Sequence, residues 1–180
     1  MNSPSELNPD ISVLVDLFYE DLSALGDVEK TDPGAMPEAY QTLLAHNHHM
    51  TVTIERYHGC SVTLEVLDER VDPEHYSRKI LLRRSSDNAV VQFGIVRLAL
   101  NVLDPLTRDQ IQRKELPLGR ILIQNDVLRT VRLDSTWRIK PGRELQTHFG
   151  NLELDQCFGR TALIYCNEEP AIELLEIVVA

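Results

Sequence analysis

The spacing of apolar positions changes near residue 50, and the fold reading divides there. Before that point Ile11, Val15, Phe18 and Leu22 recur at intervals of three and four, with Leu14 and Leu25 beside them. This spacing predicts one amphipathic helix over 11–25, ending near Gly26. The stretch from Asp27 to Pro37 carries Pro33, Gly34 and Pro37 among charged residues and reads as a connection rather than an element. A second short helix is predicted from Pro37, a favourable first helical residue, to about Ala45.

From Met50 onward the texture is that of strands. Val52, Ile54, Val62, Leu64, Val66, Ile80, Leu82, Val90, Phe93, Ile95 and Val96 fall in short β-rich runs separated by turn residues. Tyr57-His58-Gly59 and Ser85-Ser86-Asp87-Asn88 read as joins between antiparallel neighbours. Asp104 is placed to cap a helix running through Arg108 to about Lys114, with Pro105 in its first turn. Leu118 to Ile123 reads as another turn or two of helix. Strand texture returns over Val127 to Ile139, Thr161 to Cys166 and Ala171 to Val179. Strands with helices inserted at two places, and no βαβ period, predict an α+β domain on a single antiparallel sheet. The glycines are too few and too dispersed for a phosphate-binding loop, which disfavours the parallel nucleotide-binding folds.

Composition narrows the class. A chain of 180 residues that is 43% hydrophobic and 26% charged has the size and apolar content of one folded domain, read here as spanning residues 1–180. Residues 1–10 are polar and expected to be disordered. With a formal net charge of -10 the molecule repels phosphate backbones and anionic membrane surfaces, so neither nucleic acid nor a membrane is expected as a partner. The same field opposes an anionic ligand, which would need a local cluster of arginines to hold it. Three cysteines, Cys60, Cys157 and Cys166, fit neither a redox pair nor a zinc knuckle and read as reduced thiols of a cytoplasmic protein. The pattern along the chain does not set an oligomeric state.

Few residues stand out as carriers of chemistry. The histidines of His46-Asn47-His48-His49 lack a second His/Cys/Asp cluster at ligand spacing and read as structural. Ser77, Ser85 and Ser86 have no nucleophile-elbow setting. The C-terminal run from Ala171 to Val178 places Glu173 and Glu176 three apart among apolar residues, and strand alternation sends them to opposite faces. Either one of them faces the interior, where it must be paired, or the strand is an edge with both in water. Arg78, Arg83, Arg84, Arg97, Arg120, Arg129, Arg132, Arg138 and Arg160 lie in or beside the expected strands or the Leu118 helix. A guanidinium matches a carboxylate bidentately, so one inward arginine is enough to anchor an acid, while most of the set serves the acidic surface.

Taken in order, several of these segments resemble one family. Met50-Thr51, Ser77-Arg78-Lys79-Ile80-Leu81-Leu82, Pro117-Leu118-Gly119-Arg120, Gly159-Arg160 and the ending from Pro170 to Glu176 look like the chorismate pyruvate-lyase (4-hydroxybenzoate synthase) family. The likeness covers about residues 50–180. It departs at Lys79, where a glutamate commonly follows the arginine. The resemblance implies an antiparallel sheet whose helix-containing flaps enclose a ligand pocket. It implies cleavage of chorismate to 4-hydroxybenzoate and pyruvate without metal or organic cofactor. By the same resemblance Arg78 grips the ring carboxylate, Glu176 meets the ring hydroxyl, the backbone of Leu118, next to Gly119, takes part in ligand binding, and Met50 and Thr51 line the pocket. Arg120, Arg129 and Arg160 are then candidates to receive the pyruvyl carboxylate. The alternative is a binding module of the same fold, like the effector domains of GntR-type regulators, which hold small molecules without turning them over. Those domains normally follow a helix-turn-helix, and the first 49 residues are too short and too acidic for one.

Overall fold

The structure is a computed structural model and describes residues 8–180. The expected disorder of residues 1–10 concerns mainly residues 1–7, which lie outside the described residues. Within the described part, Asn8 accepts a hydrogen bond from Arg132 and Asp10 caps the first helix.

Seven strands form one antiparallel sheet in the order β1-β5-β6-β7-β4-β3-β2. They are β1 (Gly26–Thr31), β2 (Val62–Val71), β3 (His75–Arg84), β4 (Val90–Ala99), β5 (Arg129–Pro141), β6 (Cys157–Cys166) and β7 (Glu169–Val178). Among the described residues six α-helices accompany them: α1 (Ile11–Asp16), α2 (Glu38–Leu44), α3 (Met50–His58), α4 (Pro105–Gln112), α5 (Leu118–Gln124) and α6 (Arg143–His148). The α+β architecture is the one the sequence pattern predicts, with the helices carried in insertions over the sheet. No helix among the described residues is long and apolar enough to cross a membrane.

Alternation along the central strands separates the two faces. Phe93 and Ile95 of β4, Leu175 and Ile177 of β7 and Ile139 of β5 turn to one face, where Ile11, Leu14, Val15 and Leu145 of α1 and α6 cover them. The opposite face carries two apolar clusters. Leu43, Leu44, Met50 and Ile54 of α2 and α3 pack on Ile80, Leu82, Phe158 and Val178. Farther along the strands, Ile111, Leu118, Ile121 and Leu122 of α4 and α5 pack on Val96, Leu98, Ile164 and Leu174. A cavity lies between these clusters.

Four local expectations need correction. The helix over 11–25 stops at Asp16, and a separate 3-10 turn forms at Leu22–Leu25. Asp21 takes the Ser23 amide with its carboxylate, a local side-chain bond that competes with helix continuation, and the Tyr19 hydroxyl is drawn to Glu144 of α6. The connection from Asp27 contains strand β1, whose charges are cross-strand partners at the sheet edge: Glu29 lies opposite Arg138 and pairs with it. Residues 50–58 form a helix although Thr51, Val52, Thr53 and Ile54 are β-branched; burial of Met50, Thr51 and Ile54 on one helical face overrides propensity. Tyr57-His58-Gly59 consequently ends that helix, with Gly59 in the left-handed conformation of a C-cap. The Ser85–Asn88 turn does join antiparallel neighbours, β3 and β4.

One backbone position tests the packing of the edge strand. Gly26 opens β1 at φ +111°, and a Cβ built there would stand 2.1 Å from the Lys140 carbonyl oxygen. Gly26→Ala therefore combines a disfavoured backbone with a backbone clash and is expected to cost more than about 2 kcal/mol. Urea unfolding of the two proteins measures this; a cost within error of zero would mean that β1 is not held as described.

Candidate functional site

The cavity grows from one rung of the sheet. Ile80, Gly94, Glu176, Arg160 and Thr136 are register partners in sequence across β3, β4, β7, β6 and β5, all on the face covered by α2 to α5. Arg78 sits on the same face one alternation away, opposite Val96. Gly94 contributes no side chain, and Ile80 and Gln92 close over it, within 3.4 Å of where its Cβ would stand. The resulting cavity has an empty volume, mouth included, of about 500 Å³. Arg78, Arg160, Glu176 and Gln92 line it together with Ile80, Leu82, Val96 and Leu174 from the sheet and His49, Met50, Thr51, Leu118 and Gly119 from the flaps.

Arg160 is fully buried, and each group around it is an acceptor. Its Nε donates to Glu176 Oε2 at 2.7 Å, and its terminal nitrogens donate to the His46 carbonyl at 2.9 Å and the His48 carbonyl at 3.1 Å. The ion pair thus lies inside the protein and also ties the loop between α2 and α3 down onto the sheet. A buried pair of this kind is retained only when its remaining hydrogen-bonding capacity is met.

Arg78 is equally buried, at 1% exposure, but is compensated differently. One terminal nitrogen donates to the Ile111 carbonyl of α4 at 3.2 Å, and its Nε has no acceptor. Among the described residues no carboxylate forms an ion pair with it. Tyr76 supports its charge first and Glu69 acts from the rim, its carboxylate already receiving the Tyr76 hydroxyl at 3.0 Å and Lys114 at 2.9 Å. Burial pushes the Arg78 pKa down from its ordinary value. A guanidinium does not lose its proton in a protein, so the site holds a desolvated positive charge that an anion would satisfy.

Two helix starts roof the cavity. α3 begins at Met50 and α5 at Leu118, each without a side-chain cap on its first amides. The first amides of a helix have no partner within it, so the Leu118 N–H has a physical reason to seek a ligand. Gly119 allows the close approach of the two flaps: a Cβ there would lie 3.3 Å from the Thr51 hydroxyl and 3.4 Å from the His49 Cβ.

Of the residues singled out from sequence, Arg78, Glu176, Met50, Thr51, Leu118, Gly119 and Arg160 line the cavity. Arg120 and Arg129 do not. Arg120 points away to pair with Glu55 of α3, and Arg129 donates to His49 Nε2 at 2.8 Å and to the Val127 carbonyl at 2.9 Å, lining an outer groove instead. Both belong to alternating or helical positions that face out of the flaps, a distinction their spacing alone does not carry. Glu173 points to the other face, where it pairs with Arg97 at 2.5 Å. Gln92, Gly94 and His49 are cavity residues that the sequence reading passed over. Gln92 and Gly94 share the alternation of Val96 on β4, which was a usable signal.

The histidine run is structural in part. No group of His, Cys, Asp or Glu among the described residues is arranged to hold a metal ion. His46 donates from Nε2 to the Leu43 carbonyl at 2.7 Å and turns Nδ1 toward Arg160. Burial first and Arg160 second lower its pKa to about 4; burial, then Arg129 and Arg160, lower that of His49 to about 4.

No family model and no curated protein matches the sequence. Solved structures do. The fold is similar to that of PhnF from Mycobacterium smegmatis, with a TM-score of 0.53 and 11% identity, covering 72% of this chain and 63% of that one. It is also similar to the effector domain of PhnF from the same organism, with a TM-score of 0.50 and 14% identity, covering 73% of this chain and 87% of that domain. This chain thus matches less than two thirds of the PhnF chain and most of its effector domain. At such identities the likeness concerns the fold, a chorismate lyase-like sheet with helical flaps.

Two outcomes follow from this geometry. Arg160→Met leaves Glu176 buried without its partner and is expected to cost about 3–5 kcal/mol, with much of that loss recovered in the Arg160→Met/Glu176→Leu double variant. Chemical denaturation of the three variants measures it, and additive losses would contradict a coupled pair. The histidines set a pH dependence. In the unfolded chain they take up protons as pH falls below about 6.5, whereas in the fold they stay neutral to about 4. The unfolded state then binds more protons, so stability is expected to fall steadily from pH 6.5 to 5, above the carboxylate range. A slope in that window equal to that of the His46→Gln/His49→Gln variant would refute this origin.

Proposed function

We propose that this chain is a small-molecule binding domain that holds an organic anion in the cavity beneath α3 and α5, with Arg78 as its anchor. The observation that carries this reading is the buried Arg78 guanidinium, which lines a partly open cavity with its Nε unpartnered and no carboxylate paired to it. Completing that site with an acid replaces a desolvation penalty by charge-assisted hydrogen bonds. The likeness to the PhnF effector domain supports a binding rather than a catalytic role. An aromatic carboxylate fits the apolar walls, which come from Ile80, Leu82, Val96 and Leu174.

A second reading, a lyase removing pyruvate from chorismate to give 4-hydroxybenzoate, draws on the placement of Arg78 and Glu176 in one cavity on one face of the sheet. What weighs against it is the engagement of Glu176. Its Oε2 already accepts from Arg160, so the one carboxylate in the cavity lining is bound up in structure rather than poised to move a proton.

Titration with 4-hydroxybenzoate and related aromatic acids, followed by thermal unfolding, tests the first reading, and incubation with chorismate tests the second. At a ligand concentration one hundred times the dissociation constant, stabilisation is about 2.7 kcal/mol, or roughly 5–11 °C in Tm for a domain of this size. The expected result is stabilisation without pyruvate release. Arg78→Met is expected to abolish the stabilisation while leaving the unliganded protein as stable as the parent or more so, since it removes an unpaired buried charge. Pyruvate release that disappears in Glu176→Gln would transfer the case to the lyase. Absence of both stabilisation and turnover would remove both readings.

A further inference from the structure

One histidine of the run before α3 separates the cavity from the groove outside it. His49, half-buried, lines both, whereas Arg129 lines only the groove and Gly119 only the cavity. The imidazole lies between those two residues. Its Nε2 receives the Arg129 Nε at 2.8 Å, and its Nδ1 turns to α5, where a Cβ built on Gly119 would stand 3.4 Å away. The Nε2 edge therefore belongs to the groove side and the Nδ1 edge to the cavity side.

Arg129 decides which ring nitrogen carries the proton. A guanidinium nitrogen donates and never accepts, so Nε2 must offer a lone pair, and the single N–H of a neutral imidazole is then on Nδ1. The ring is neutral: burial first, then Arg129 and Arg160, with His48 beside it, lower its pKa to about 4. Among the described residues nothing accepts from that N–H. Nor is Nδ1 one of the unpartnered atoms sealed inside the protein, which are His58 Nε2, Arg78 Nε and Gln92 Oε1. It is a donor without an acceptor that a ligand can reach, and a donor so placed gains from meeting one.

Given the anion-binding reading of this cavity, on which this step rests, we infer that His49 is a ligand-binding residue whose Nδ1–H donates to the carboxylate of the bound acid, and that Arg129 is the positioning residue that fixes its tautomer. The acid then bridges sheet and flap, between Arg78 on β3 and His49 in the loop before α3. Arg129 serves the cavity without touching it. In the other tautomer Nδ1 would turn a lone pair to the anion, so the Arg129 contact sets the sign of the interaction and not merely the angle of the ring.

Long-range proton–nitrogen correlation NMR of the whole chain, isotope-labelled at histidine nitrogen, reads the tautomer at neutral pH. In the parent, His49 is expected to be protonated at Nδ1 and bare at Nε2, and in Arg129→Met the Nε2-protonated form is expected to appear. Benzoate, whose only acceptor is its carboxylate, is expected to move the Nδ1–H proton downfield; cyclohexanecarboxylate, which has no ring current, should move it the same way. By isothermal titration His49→Phe, which keeps a ring and removes the donor, is expected to bind benzoate about tenfold more weakly than the parent, the scale of one hydrogen bond to a charged group. Arg129→Met is expected to lose part of the same affinity. A protonated Nε2 in the parent, or an unchanged tautomer in Arg129→Met, overturns the positioning role and this inference with it. An Nδ1–H that stays in place when either acid binds, or a His49→Phe variant that binds as tightly as the parent, overturns the contact with His49 and leaves the anion site standing. Failure of the parent to bind either acid overturns the anion site itself. The parent's tautomer and its shift on binding need no variant, so a substitution that does not fold leaves both tests in force.

Discussion

Arg160 holds three parts of the molecule with one side chain. Emerging from β6, it pairs with Glu176 on β7 and receives the carbonyls of His46 and His48 from the loop that leads into α3. The position of α3, and with it Met50 and Thr51 over the cavity, depends on that loop being fixed. Neutral histidines belong to the same arrangement. With Nδ1 of His46 turned toward Arg160, a proton on it would bring two cations together in a buried setting, and the fold holds the imidazole neutral well below its ordinary range. The loop thus offers the guanidinium only lone pairs.

Two fully buried arginines share one cavity and play opposite parts. Arg160 has a carboxylate and two carbonyls; Arg78 has one carbonyl and an idle Nε. The protein as a whole carries a net charge of -10, which disfavours the approach of an anion from a distance. Inside the cavity the balance differs, because charges on the outer surface are screened within about 8 Å at physiological salt whereas a desolvated guanidinium is not. An acidic protein therefore presents an acid with an attractive interior, provided the nearest carboxylate is neutralised. Arg160 supplies that neutralisation, so the structural pair and Arg78 are coupled through electrostatics as well as through position.

The sheet and most of its strands were legible because β5, β6, β7 and β4 are buried on both faces or alternate clearly, and the turn at Ser85–Asn88 has the residue types that a tight join requires. Legibility failed where local and tertiary preferences disagree. Residues 51–54 have strand propensity but become helical to bury Met50 and Ile54; β1 has a single apolar residue, Val28, because an edge strand needs little more. In the site, Arg78 and Arg160 could be picked out only through the family resemblance, since nine arginines shared the same context and spacing does not separate inward from outward positions. Arg120 and Arg129 show the consequence: both sit beside the cavity-lining segments and neither lines the cavity, Arg120 pairing with Glu55 and Arg129 reaching His49 Nε2 from an outer groove. Gln92 carried no chemical signal at all as a residue type. Its place follows only from the register with Leu82 and from sharing a face with Gly94.

The location of the cavity has a simple origin in that register. Across the central rung the side chains are Ile80, none at Gly94, Glu176, Arg160 and Thr136. The apolar clusters on either side meet the flaps with full-sized residues, Ile54 against the sheet on one side and Leu118 and Ile121 on the other. Flaps held off by those residues do not reach the sheet between the clusters, where Ile80 and Gln92 close over Gly94, and the ion pair next to it is held aside because the guanidinium is drawn toward the His46 and His48 carbonyls. A void is thereby enforced beside a charge rather than filled. A protein interior closes gaps wherever side chains permit, and the space that remains here lies beside a buried guanidinium without a carboxylate partner and is walled elsewhere mainly by aliphatic residues.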